Sequence, residues 1–250
     1  MTDAILVERA EALPGVQLIR LNRPQKKNAI TRAMYAAMTA ALREACDDAT
    51  VRVTAILGHA GCFSAGNDMA DFMAAASHGD LGAEVIEFLR VLARHDKPLV
   101  SGVDGLAIGI GATLHLHCDM TIASARSVFR TPFTDLGLVP EAGSSLILPQ
   151  IAGHQRAFAM LAAGEPFSGR EAFDAGIVWR IVEPDGVEEE TLALAARLSA
   201  KPAEALRLAR RLIRGEPQER LARIDAEAAH FAERLRSPEA KAAFAAFLAR

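Results

Sequence analysis

Hydrophobic and polar positions change their period along the chain. AILVERA from Ala4 and GVQLIRL from Gly15 are short runs rich in branched apolar residues and predict two strands. The Ala-rich run from Asn28 to Asp48 interleaves apolar and polar positions at helical spacing, with Thr31 as its cap. VRVTAILG from Val51 returns as a buried strand, followed by a glycine-bearing loop from His59 to Asp68, a helical run from Leu81 to Arg94, and the strand PLVSGVDG opened by Pro98. Strand and helix alternate, the mark of an α/β chain. AIGIGATLHLH, from Ala107 to His117, is too glycine-rich at its start for a strand interior and reads as a loop feeding a helix. DMTIAS and SVFRT predict two more strands. Beyond Gly143 the pattern is helical except for IVWRIV at Ile177 to Val182, and the tail from Val187 to Arg250, broken at Pro202, Pro217 and Pro238, predicts three or four helices. The texture changes near residue 185, dividing a mixed core over 1–185 from a helical region over 186–250.

Composition narrows the function. A chain of 250 residues can build one domain with a full core. Its net charge of −3 leaves no basic field for a phosphate polymer, so nucleic acid is not an expected partner. Cys46, Cys62 and Cys118 are an odd number without a CxxC pair, which argues against a disulfide scaffold or a structural metal site and for a reducing compartment. No run approaches the ~20 apolar residues of a membrane span, and the acidic N-terminal residues carry no export pattern. The expectation is a cytoplasmic protein with no membrane partner.

Several segments could carry chemistry. The loop from Gly61 to Asp68 follows a buried strand and leaves backbone N–H groups unpaired by a sheet ladder, the donors a developing oxyanion needs; an ordinary strand-to-helix turn is the alternative. A second donor loop, Gly105 to Gly111, precedes an apolar helix whose first-turn amides point outward. Leu114 replaces the third glycine of a dinucleotide fingerprint. Phe63-Ser64-Ala65-Gly66 resembles a nucleophile elbow, but Cys62 stands where its leading glycine belongs, which leaves a Ser/His/Asp hydrolase as the rival enzyme reading. His115 and His117 lie about 200° apart on a regular helix and cannot share a metal from one face. Lys26 and Lys27 near Arg23 make either a solvated loop or the seat of an anionic cofactor tail. Glu141, with Leu138, Val139, Leu146 and Ile147 close by in sequence, has the apolar surroundings that raise a carboxyl's proton affinity towards that of a general base; a helix-capping acid is the alternative.

Taken together, these segments resemble the enoyl-CoA hydratase/isomerase, or crotonase, family over most of residues 3–185. Leu21-Asn22-Arg23-Pro24 with Asn28-Ala29-Ile30 is similar to the family's LNRPxxxNA opening. Phe63 to Asp68 is similar to its first oxyanion loop, and Lys97-Pro98 through Gly105 to Gly111 to its second. The resemblance implies a spiral of ββα units with a helical C-terminal region, assembled as trimers or dimers of trimers in which the C-terminal helices complete a neighbouring site. It also implies an acyl-CoA thioester substrate and no cofactor beyond the coenzyme A of that substrate. By position, the oxyanion donors would be the amides of Asn67, after Gly66, and Ile110, after Gly109. Coenzyme A would run from Arg23, Lys26 and Lys27 past Ala65 and Asp68, and Met69, Phe72, Phe133 and Leu136 would wall the acyl pocket.

Departures from the family pattern select the reaction. Where the family's hydratases carry two glutamates, this chain has Thr113 and Phe133, and neither can activate water as a carboxylate does. Glu141, in LVPEAGSS, stands where the Δ3,Δ2-enoyl-CoA isomerases have their catalytic acid. The resemblance therefore implies an isomerase in which Glu141 shuttles a proton through an oxyanion-stabilised dienolate. A ring-modifying isomerase of phenylacetyl-CoA-type breakdown, an enoyl-CoA hydratase and a non-catalytic acyl-CoA-binding relative are the alternatives.

Overall fold

The computed structural model describes residues 4–9, 12–78 and 82–248. Ala10 of the first predicted strand, Leu81 at the predicted helix start and residues 249–250 lie outside them.

The longest apolar runs form one sheet. Strands β1 (Ile5–Glu8), β2 (Val16–Leu21) and β3 (Val53–Leu57) pair in that order. The chain contributes β4 (Cys62–Ser64) to a second sheet and then returns as β5 (Leu99–Val103). After β5 comes β6 (Leu106–Ile108), again in the second sheet, and β7 (Met120–Ser124) in the first. β8 (Val128–Arg130) and β9 (Phe167–Ser168) finish the second sheet in the order β4-β6-β8-β9, and β10 (Arg180–Val182) closes the first in the order β1-β2-β3-β5-β7-β10. Among the described residues, β1 and β9 are the only strands that run antiparallel to their neighbours. The successive strand pairs β3/β4, β5/β6 and β7/β8 thus climb as repeated ββα units, the expected spiral.

β3 is buried at every position because both faces of the sheet are covered. Alternate residues Val53, Ala55 and Leu57 meet Leu194 and Ala195 of α8 (Val187–Ser199), while Ile56 faces the main core. On that second side lie α1 (Arg32–Asp47) and α3 (Ala83–Arg94). The Lys97 ammonium spends its three donors on the carbonyls of Ala45, Asp48 and Val51, at 2.6–2.8 Å, closing the C-terminal end of α1.

The structure corrects several boundaries. α1 starts at Arg32, where the Thr31 hydroxyl accepts from the Met34 amide at 3.3 Å. Asn28 is not helical: its φ is 51°, and its side chain accepts from the Arg23 amide and donates to the Phe63 carbonyl. The two glycine-bearing loops each contain a strand, β4 and β6, and a further helix, α2 (Met69–His78), follows the first. Asp68 caps that helix, its Oδ1 accepting from the Ala70 amide at 3.0 Å.

After α4 (Ile110–Thr113) the chain holds α5 (Ser144–Ala152), α6 (His154–Leu161) and α7 (Gly169–Asp174). The tail then forms α8, α9 (Ala203–Arg214), α10 (Gln218–Leu235) and α11 (Pro238–Leu248). Phe231 of α10 and Phe244 of α11 meet Phe72 of α2 edge-on, with centroids 5.9 and 5.4 Å apart. Each such contact adds about 0.5–1.5 kcal/mol to the area buried. The C-terminal helices therefore share the main core.

Candidate active site

β4 and β6 bring the two donor loops side by side. They pair in parallel, Ser64 opposite Ala107, so the chain leaves both strands in the same direction. Gly66 at φ 90° lies so close to the other loop that a Cβ there would sit 2.9 Å from the Ile108 carbonyl oxygen. Ile30 is fastened to the first loop on both sides of Asn67, its amide donating to the Gly66 carbonyl at 2.7 Å and its carbonyl accepting from Asp68 at 2.9 Å. The Asn67 amide between these bonds, and the Ile110 amide at the start of α4, have no acceptor among the described residues. The arrangement offers two N–H donors on adjacent loops, which is what an enolate oxygen requires.

Glu141 reaches the same place from the segment after β8. Its side chain is buried, and the Thr113 hydroxyl, one helical turn after Ile110, donates to Oε1. Burial pushes the carboxyl from an ordinary 4.5 to about 8; the Thr113 hydroxyl opposes the rise and the Glu227 carboxylate adds to it. That is a proton affinity suited to a general base near neutral pH.

The backbone beside Glu141 is strained. Ala142 takes φ 61°, a left-handed conformation that costs a non-glycine residue about 1–2 kcal/mol, and Gly143 follows at φ 70°. His117 Nε2 donates to the Ala142 carbonyl at 2.7 Å. Burial and the Arg214 charge push that imidazole down to about 3, so it is neutral.

Three residues take parts in this site that the sequence did not assign. Thr113, read as a lost carboxylate, is the donor to Glu141. Tyr35 of α1 is fully buried, donates to the Asn67 Oδ1 at 2.6 Å, and is held well above its ordinary proton affinity by burial and by Glu141. Glu227 of α10 accepts from the Gly143 amide at 2.6 Å, the Ser145 amide at 3.0 Å and the Ser145 hydroxyl at 2.5 Å. A signal for it existed: the buried positions Ile224, Glu227, Phe231 and Leu235 follow helical spacing, so this acid interrupts an apolar stripe.

The other expected site residues fall around this centre. Arg23 is not free in solvent: its Nη1 donates to Asp68 Oδ2 at 2.6 Å and to the Ala29 carbonyl. Burial opposes it, yet Arg23 and the amides of Asp71 and Ala70 hold the Asp68 carboxyl below the usual range. Lys26 and Lys27 are exposed, and the Lys27 carbonyl accepts from the Ala65 amide at 2.9 Å, which seats the basic turn beside the first donor loop. Asn67, Asp68 and Phe72 line one cleft with Tyr35. Phe133 is buried, and Met69 and Leu136 pack half-buried on the main core. Gly109, at φ 56°, precedes the Ile110 donor, whose side chain packs into that core.

The hydrolase reading fails. The Ser64 hydroxyl donates to the Asn28 carbonyl at 2.8 Å and accepts from Gly66, so its bonding is spent on shaping the loop. His115 and His117 turn to different partners, Ser101 and Ala142. A cleft of about 250 Å³ lined by Arg94, Arg210, Arg214 and Arg220 lies elsewhere, at the His117 end of the segment that begins with Ile110, and Asp119 and backbone carbonyls hold its inner guanidiniums.

The fold that carries these groups has known relatives. Residues 11–250 match the enoyl-CoA hydratase/isomerase family, and the chain belongs to that family. It is 36% identical over 218 residues to enoyl-CoA delta isomerase 2 of Rattus norvegicus, covering 85% of this chain and 56% of the relative. It is 33% identical over 205 residues to the 1,2-epoxyphenylacetyl-CoA isomerase of Escherichia coli K12, covering 80% and 78%. The solved structure of Pseudomonas aeruginosa OdaA superposes with a TM-score of 0.93 at 39% identity over the whole of both chains. The chain thus spans little more than half the length of the rat relative. Among the described residues, no helix is long and apolar enough to cross a membrane.

Proposed function

We propose that this chain is a Δ3,Δ2-enoyl-CoA isomerase that uses Glu141 as its single acid–base group. The observation that carries the reading is the buried Glu141 carboxyl, bonded by Thr113 from the short helix whose first residue is the donor Ile110. The amides of Asn67 and Ile110 bind the thioester carbonyl oxygen and stabilise the negative charge that appears when Glu141 takes the C2 proton of a 3-enoyl-CoA. The protonated Glu141 then returns a proton to C4, and the double bond moves into conjugation with no water consumed. Thr113 and the buried Phe133 supply no second carboxylate for water, which favours isomerisation over hydration.

Exposed Lys26 and Lys27 suit the phosphates of coenzyme A, while Arg23 acts through Asp68 to shape the loop that passes the pantetheine. Assembly into trimers or dimers of trimers is supported by Leu212 and Ile213 of α9, each 85% exposed.

The test is ultraviolet absorbance with a 3-enoyl-CoA, following the conjugated thioester, beside a 2-enoyl-CoA that reports hydration. Conjugation without hydration is expected, and Glu141→Gln should abolish it while leaving CoA-thioester binding intact. Near-wild-type turnover by that variant removes the assignment, and hydration by the wild type means that another group activates water. The E. coli relative's name makes an epoxide of a ring-bearing acyl-CoA the second substrate to try.

A further inference from the structure

Glu141 sits on a segment with little regular structure of its own, between a tight turn at residues 134–136 and the start of α5. What fixes that segment comes from elsewhere. Thr113 of α4 bonds the side chain, His117 the next carbonyl, and Glu227 of α10 the amides of Gly143 and Ser145. Glu227 is the one charged group among these anchors. It is 6% exposed and takes three hydrogen bonds, of which two are from the backbone beside the base. Burial raises the proton affinity of the Glu227 carboxyl, and the Ser145 and Gly143 hydrogen bonds oppose that rise; Arg223, one turn earlier on α10, opposes it too and donates to the Ser145 hydroxyl at 3.1 Å.

We propose that Glu227 is a positioning residue for the base: its carboxylate fixes the Glu141 segment through Gly143 and Ser145, and its charge in the same buried region sets when Glu141 gives up its proton. The function of the base rests on the isomerase reading; the coupling of the two carboxyls does not. The titratable groups around Glu141 are Tyr35 from α1 and Glu227 from α10, with neutral His117 against the next carbonyl; Arg223 is the charged neighbour of Glu227. Tyr35 keeps its proton throughout the working range, which leaves Glu227 as the negative charge able to act on Glu141.

The test compares wild type, Glu227→Gln and Arg223→Gln by two readings over the same pH series. One is the ¹³C-carboxyl resonance of Glu141, identified by its loss in Glu141→Gln, which needs no turnover. The other is the pH profile of kcat with a 3-enoyl-CoA. Removing the like charge in Glu227→Gln moves the Glu141 titration and the acid limb of kcat to lower pH by about one unit, about tenfold in the fraction of active base on that limb. KM for the thioester stays the same, because Glu227 does not touch substrate. Removing the exposed cation in Arg223→Gln weakens the charged form of Glu227 and so moves both readings in the same direction by a smaller amount, and this variant decides the matter if Glu227→Gln does not fold.

Superposition of the titrations on the wild type, with only a lower melting temperature in Glu227→Gln, assigns Glu227 a purely structural role and overturns the proposal. An active Glu141→Gln together with shifted titrations overturns the isomerase reading and leaves the coupling standing.

Discussion

Replacing Glu141 by Gln should make the protein inactive and, at neutral pH, more stable. In the unfolded chain this carboxyl ionises at 4.5, and in the folded protein, where burial is the largest cause of the shift, at about 8. Below pH 4.5 both states hold the proton and the group costs nothing. Between 4.5 and 8 the unfolded chain releases a proton that the folded protein keeps, so wild-type stability falls as pH rises, and above 8 the full cost is present. At about 1.36 kcal/mol per pH unit the cost is about 3 kcal/mol at pH 7 and about 5 kcal/mol above pH 8. Gln keeps an oxygen to accept from Thr113 and carries no charge to desolvate, so the variant lacks this slope. For a chain of this size the gain at pH 7 corresponds to about 6–12 °C in Tm. Guanidinium unfolding of both proteins at roughly pH 5, 7 and 9 measures it, since each midpoint and slope give a stability at that pH. The Glu227 carboxyl is present in both and cannot produce the difference. Two stability curves that stay parallel across the pH range, or a variant less stable at pH 7, would refute the claim that a desolvated, protonated Glu141 is the strained element of the site.

Further substitutions probe the surrounding parts. Thr113→Val removes a charge-assisted hydrogen bond of about 1.5–3 kcal/mol from ionised Glu141, so the acid limb of kcat/KM should move up by about one to two pH units, read from a pH series with a 3-enoyl-CoA. Tyr35→Phe leaves the Asn67 side chain without its 2.6 Å donor; kcat should fall about three- to tenfold with KM kept, and a change in KM alone would contradict the role. Gly66→Ala forces a Cβ towards the Ile108 carbonyl at a φ of 90°, which should displace the Asn67 amide and lower kcat by roughly a hundredfold in a protein whose circular dichroism is unchanged.

The long apolar runs, the Thr31 cap and the helical character of the tail were legible because each rests on residues adjacent in sequence, where period and capping chemistry act. β4 and β6 were not. Each is three residues long inside a glycine-bearing loop, too short to show a period, and they are strands only because β4 pairs with β6 and β6 with β8 in the folded chain. Asp68, which caps α2, was read as a substrate contact and gave no helix start.

The site divides in the same way. Sequence alone determined that two glycine loops would expose backbone amides and that Glu141 would have apolar neighbours, since both are properties of a few consecutive residues. The fold decided which groups answer each other. Thr113, Tyr35 and Glu227 come from three separate helices, and nothing in their local spacing connects them to Glu141 or Asn67. Their effect depends on distance and on removal of water, and both exist only once the two sheets and the C-terminal helices have closed around one core.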